Sequence, residues 1–302
     1  MPAAIDSLKA VFERRVAPAP AFRAAQRFLA HQMTDRAATL SYYGMLSLFP
    51  GLLVAISLIG LIGGEDLVRS VVDFAEEREV SGGSLEVVET VARRATDISG
   101  GSFSLALILS LVLALNAASG IFNAAGRAVD AAFEVEDDRS FVSKRLTVYG
   151  VTGFVLFLLL LTLLLLLVGG SLARNLVDLI GIGDGALGAW NLARWPAALL
   201  LALVAVAVVM RFAPTEAARR RRLVTTGALV TVGGWVLATL GFSFYVTNFA
   251  SYGALYGAFS AAIVLLLWLY LLAIAFLYGA ELDAVLAARR RGAPSAPAAQ
   301  DG

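Results

Sequence analysis

Apolar residues in this chain come in unbroken runs instead of the alternation of a strand or the narrow stripe of a surface helix. "GVTGFVLFLLLLTLLLLLVGG" (150–170) is one such run. About 20 apolar residues span the ~30 Å hydrocarbon core of a bilayer as a helix. Six runs meet that length, at roughly 39–62, 103–124, 147–169, 190–210, 223–246 and 255–280. The pattern predicts an all-α, polytopic helical membrane protein with six transmembrane helices and a short helical outer loop. Three segments follow: an amphipathic N-terminal stretch (1–38), a membrane domain (39–282) and a disordered tail (283–302) ending in "RGAPSAPAAQDG".

Between the runs the periodicity changes. In the 63–102 loop, "DLVRSVVDFAEE" sets Leu67, Val71 and Phe74 on one helical face, and "SLEVVETVARRA" does the same with Leu85, Val88 and Val91. Two short amphipathic helices split by "SGG" are expected there, as a cap, a lid or a partner surface. "FRAAQRFLAHQM", near the start, is amphipathic and basic, which suits the inner membrane interface. His31 is expected to be a plain interfacial residue in it.

Charge then orients the spans. Lys plus Arg number six before the first span, four between spans 2 and 3, five between spans 4 and 5, and three after the last. The other side holds four in the 63–102 loop and two, Arg174 and Arg194, at the junction of spans 3 and 4. Positive loops stay in the cytoplasm, so both termini are expected there. Trp190 and Trp195 fall at the outer end of span 4, as an interfacial aromatic belt would.

Composition agrees. Of 302 residues, 59% are apolar and 16% charged, against about 45–50% and about 25% in soluble domains. The net charge is +1, so nothing marks a nucleic-acid partner. The absence of cysteine excludes disulfides, thiolate metal sites and cysteine nucleophiles, and a single histidine argues against a protein-ligated zinc. No metal and no cofactor are expected. The first 37 residues carry charges throughout and lack a signal-peptide pattern.

Polar residues inside the apolar runs carry the functional reading. Asn116, Ser119, Asn123, Arg127 and Asp130 recur at helical spacing and share one stripe of span 2. Polar groups in hydrocarbon face the bundle interior or a wet cavity. Span 1 adds Tyr42, Tyr43 and Ser47 just before Pro50. That proline frees the carbonyl of Leu46, which then needs another donor. Together these residues form a candidate polar groove or, on the other reading, a helix-packing seam. Near spans 5 and 6, Tyr252, Gly253, Tyr256 and Gly257 form either a tight turn or a GxxxG packing face. Glu281 and Asp283 are expected at the cytoplasmic exit of span 6, with Arg127 or Arg145 as partners.

Three stretches resemble the YihY/BrkB family of bacterial inner-membrane proteins. "AATLSYYGMLSLFPGLLVAISLIG" is similar to the family's first span, with its paired Tyr and Ser-Leu-Phe-Pro. "DAAFEVEDDRSFVSKR" (130–145) resembles its loop after span 2: Phe133, Asp137, Arg139, Phe141 and Arg145 fit, while Asp130 stands for the usual Asn and Asp137 for the usual Glu. The stretch 242–286, with its Tyr-Gly turn, Trp268 and terminal Gly-Ala-Glu, matches the family's end. The resemblance implies a multi-pass protein of the bacterial plasma membrane with six spans and both ends cytoplasmic. It also brings an old label, ribonuclease BN, and the name of virulence factor for some members.

The nuclease label is rejected on physical grounds. The only acidic cluster at the inner face, Glu134, Glu136, Asp137 and Asp138, lies in a short loop with no soluble domain around it. No nucleophile–base pair is visible, so a non-enzyme is expected. Two functions remain. One is transport or handling of a lipid or small solute through the polar groove, with Asp137, Arg139, Arg145 and Glu281 as a charge cluster at the cytoplasmic face. The other is an envelope scaffold, with a protein partner on the 63–102 loop. Membrane lipids are partners in either case, and a second copy of the chain is a further candidate.

Overall fold

The computed structural model describes residues 19–48, 103–136, 140–167, 185–215, 223–249 and 258–291. All regular structure among them is helical: α1 (Pro20–Ala30), α2 (33–48), α3 (Phe103–Ala132), α4 (Phe141–Leu167), α5 (Gly185–Phe212), α6 (Thr226–Phe249) and α7 (Ala258–Arg290). Among the described residues, four segments are long and apolar enough to cross a membrane: Val142–Thr162, Gly188–Phe212, Thr226–Tyr245 and Ala262–Arg290. They correspond to expected spans 3 to 6. Span 1 leaves the described residues after 48, and the 63–102 loop lies outside them.

Two helices run further than the apolar runs suggested. α3 continues past 124 to Ala132, so Arg127 and Asp130 are helical residues. α7 continues to Arg290, so Glu281 and Asp283 are helical residues and the helix runs past 283, where the tail was expected to begin. Each extension carries acids that find partners on other segments of the chain, and that contact stabilises helix where hydropathy alone gives no signal.

α7 packs chiefly on α6, and also on α1 and α3; α4 packs on α5 and α3. The buried residues gather towards one end of the bundle. They include Ala124, Ala125, Ala128 and Ala132 of α3, Val148, Val151, Val155 and Leu158 of α4, Ala205–Met210 of α5, Ala228 and Thr231 of α6, and Ala273, Phe276, Leu277 and Ala280 of α7. Small residues let helices approach closely, which matters where lipid is as apolar as the side chains. Gly126 shows this: a Cβ there would lie 2.6 Å from the carbonyl oxygen of Ala213. The opposite pattern marks the outer faces, where Phe157, Leu237, Leu240 and Phe244 are well exposed. Large apolar side chains on such surfaces suit lipid contact.

α1 begins with proline at its first turn, where a missing N–H costs nothing. It buries Ala24 and Phe28, and Tyr278 of α7 donates to the Ala21 carbonyl at 3.1 Å. It ends at His31. Gln32 follows at φ 51°, in the left-handed region, and α2 starts at the next residue. The expected amphipathic segment is therefore a helix docked on the bundle.

A buried carboxylate and its partners

Glu281 has no exposed surface, and it meets the corner between α1 and α2. Its Oε2 accepts from Arg27 Nε at 3.2 Å, and its Oε1 pairs with His31 Nδ1 at 2.5 Å. Nδ1 is thus the ring nitrogen that faces the carboxyl group. Arg27 and His31 are four residues apart and share one face of α1. The second edge of Arg27 reaches α3: Nη2 donates to the Ala132 carbonyl at 2.8 Å, and Nη1 pairs with Glu134 Oε1 at 2.8 Å. His31 Nε2 lies 3.7 Å from the same Glu134 oxygen.

The end of α3 explains why Glu134 points there. Val135 N–H bonds back to the Asp130 carbonyl and Glu134 N–H to that of Ala131, both at 3.1 Å. This is a Schellman cap, and its left-handed position is Glu134, at φ 54°, where glycine is usual. The Ala132 carbonyl, an orphan of the last turn, is satisfied by Arg27, a cation at the negative end of the helix dipole.

Two further buried acids tie down chain ends. Asp130 Oδ1 accepts from Thr215 N at 2.8 Å and Thr215 Oγ1 at 3.0 Å, fixing the segment after α5. Asp283 Oδ1 accepts from Gly227 N at 2.8 Å in the first turn of α6, while Thr225 Oγ1 accepts from Ala228 N at 3.1 Å. Together they satisfy donors that a helix start leaves orphaned.

The candidate groove residues are dispersed. Tyr43 packs on Gly120 of α3, where a Cβ would lie 2.8 Å from the ring. Tyr42 is exposed and edge-on to Tyr43. Ser47 bonds to the Gly44 carbonyl of its own helix at 2.9 Å, and Ser119 to that of Asn116 at 2.6 Å. Asn123 is half-buried, Arg127 and Asn116 are exposed, and Asp130 is buried at the α5 junction. Asn116 meets α4: Tyr149 Oη donates to its Oδ1 at 3.4 Å and accepts from Arg145 Nε at 3.1 Å. Pro50, Asp137, Arg139, Tyr252, Gly253, Tyr256 and Gly257 lie outside the described residues.

The expected partner of Glu281 needs correction. Neither Arg127 nor Arg145 binds it; Arg27 and His31 do. Arg145 sits on α4, which packs on α3 and α5, whereas Glu281 faces α1. In the sequence Arg27 is one basic residue among several, and His31 is expected to be a plain interfacial residue. Their four-residue spacing on a basic helix was the available signal, but it named no partner. Among the described residues, no group of three His, Asp or Glu side chains is disposed to hold a metal ion.

Long apolar helices, small-residue packing and buried acids tying chain segments define a polytopic helical membrane protein. A family model described as virulence factor BrkB matches residues 24–302, and the chain belongs to that family. It is 32% identical over 266 residues to the ribonuclease-like protein YfkH of Bacillus subtilis (strain 168), covering 88% of this chain and 94% of that one. It is 28% identical over 280 residues to a UPF0761 membrane protein of Xanthomonas campestris, covering 88% of this chain and 60% of that one. The chain thus spans about three fifths of the Xanthomonas relatives it matches. No solved structure matches it.

Proposed function

We propose that this chain is a six-span protein of the bacterial inner membrane, with both termini cytoplasmic, that handles or transports a lipid or small solute through a polar groove beside α3. It works without a cofactor and is not an enzyme. The word ribonuclease belongs to the name of the Bacillus relative and is not carried over.

The observation that supports the reading is the line Arg145–Tyr149–Asn116. It is a run of hydrogen bonds that climbs from the basic start of α4 to an exposed amide on an apolar stretch of α3. Half-buried Ser119 and Asn123 and exposed Arg127 continue the polar side of α3. Polar groups placed this way in hydrocarbon suit a wet cavity.

A scaffold role is the second reading. It is favoured by Asp130 and Tyr43, whose contacts with Thr215 and Gly120 are those of a packing seam.

Native mass spectrometry in mild detergent separates the two. Wild type is compared with Asn116→Ala/Asn123→Ala. A defined lipid or solute held by the wild type and lost from the folded double variant supports the groove. Generic annular lipid on both overturns it and leaves the scaffold.

A further inference from the structure

We propose that Arg194 binds the phosphate group of a membrane phospholipid. The inference concerns the end of the bundle away from Glu281 and stands without the groove. Its basis is the distribution of charge. Among the described residues the acids are Asp35, Asp130, Glu134, Glu136, Glu281 and Asp283. Asp130 is tied to Thr215 after α5, Glu134 and Glu281 share Arg27, and Asp283 holds the start of α6. Asp35 and Glu136 follow closely on His31 and Glu134 in the chain. All six thus belong to the end where α3, α5 and α7 finish. Arg194 lies on α5 about 24 Å before Met210 along the helix. Among the described residues, no other charged side chain shares its end of the bundle.

The surrounding sequence sets its depth. Within the apolar segment Gly188–Phe212 the charged residues are Arg194 and Arg211. They stand about 25 Å apart along the axis, most of a ~30 Å hydrocarbon core. Each arginine therefore marks one edge of that core. A helical side chain leans towards the helix start, which carries the Arg194 guanidinium outwards to the headgroups. Trp190 and Trp195 flank it at the same level, and Trp195 is 52% exposed, as aromatic residues of a membrane interface are.

The chemistry follows from what Arg194 lacks. The side chain is half-buried, and among the described residues its Nε has no acceptor and no access to solvent. Its Cζ stands 5.7 Å from the Trp195 ring centroid, a contact that orients the guanidinium but brings no negative charge. A cation partly stripped of water is costly without a counter-charge, and an anion recovers that cost. At the edge of the hydrocarbon the anion in supply is the phosphodiester of a lipid. The guanidinium presents paired N–H groups that match two phosphate oxygens. Asn191, exposed and one turn earlier on the same face, offers an amide N–H to the same group.

Native mass spectrometry of the delipidated full chain in mild neutral detergent tests this. The probes are phosphatidylglycerol, the diacylglycerol with the same chains and no phosphate, and inorganic phosphate. The first phosphatidylglycerol should bind at least about tenfold more weakly to Arg194→Gln than to the wild type, the equivalent of one charge-assisted hydrogen bond. Diacylglycerol should bind both equally. Arg194→Lys keeps the charge without the fork, so its affinity should fall between the two. Equal phosphatidylglycerol affinity in wild type and Arg194→Gln overturns the proposal. So does a variant that melts lower yet keeps the lipid, since the counter-charge would then belong to the chain. An Arg194-dependent adduct of inorganic phosphate alone would assign the site to the free ion and overturn the lipid. If Arg194→Gln does not fold, the wild type still decides: no preference for phosphatidylglycerol over diacylglycerol refutes the idea.

Discussion

Gly227 and Gly279 face each other across α6 and α7 with no room for a side chain on either. A Cβ on Gly279 would lie 2.5 Å from the Gly227 carbonyl oxygen, and one on Gly227 would lie 2.6 Å from Asp283 Cγ. This close approach sits in the most extensive helix pair of the bundle. Alanine at either position must push backbone against backbone, which a rotamer change cannot relieve. Overpacking of this kind costs about 1–3 kcal/mol. Thermal unfolding in detergent should show each single variant melting several degrees below the wild type, and an unchanged midpoint would mean that the helices do not pack so closely.

Asp283 also satisfies the Gly227 N–H at the start of α6. Asp283→Ala should cost about 1–2 kcal/mol, the range for a lost helix cap. Asp283→Asn keeps an acceptor oxygen and should lose less. The order wild type, Asn, Ala in melting temperature is the check.

Arg27 and Glu281 form a pair that is expensive to break from one side. Removing Arg27 leaves Glu281 buried with histidine as its remaining partner, and stranding a buried charge costs about 3–5 kcal/mol. Glu281→Gln removes the charge itself. Arg27→Ala/Glu281→Gln should therefore cost less than the sum of its parts by about 1 kcal/mol or more. A double-mutant cycle by chemical unfolding measures this coupling; additive losses would mean that the two side chains do not interact.

Glu134 occupies the left-handed cap of α3 at a strain of about 1 kcal/mol relative to glycine. Its ion pair with Arg27 is 61% exposed on the glutamate side and worth about 0–1 kcal/mol. Glu134→Gly should leave the melting temperature unchanged or raise it. A clear loss would show that the exposed pair is stronger than such pairs usually are.

Tyr149→Phe deletes the hydroxyl that joins Arg145 to Asn116. Two exposed hydrogen bonds go, so stability should fall by about 1 kcal/mol at most. Ligand retention in native mass spectrometry should fall with it. Full retention would detach this line of hydrogen bonds from the groove.

Helix class and the positions of α4 to α7 could be read directly, because the length of an apolar run is a property of the chain alone. The amphipathic, basic character of α1 was legible for the same reason: Ala24, Phe28 and Arg27 repeat at helical spacing. The extension of α3 was legible as far as Asp130, through the helical spacing of its polar stripe; that of α7 to Arg290 was not, since polar residues in those turns depend on contacts made elsewhere. Glu134 in a glycine position gave no local sign of the Schellman cap.

Partners were the part that only the folded bundle decided. Asp130, Glu281 and Asp283 all stood out as polar residues near span ends. Their partners, Thr215, Arg27 with His31, and Gly227, lie 85, 254 with 250, and 56 residues away. A buried carboxylate must be matched, so its presence predicts a partner. Which partner it finds depends on which helices pack together. Hydropathy runs along one dimension and carries no record of that choice, whereas close contacts such as Gly126–Ala213 and Gly227–Gly279 set it in three.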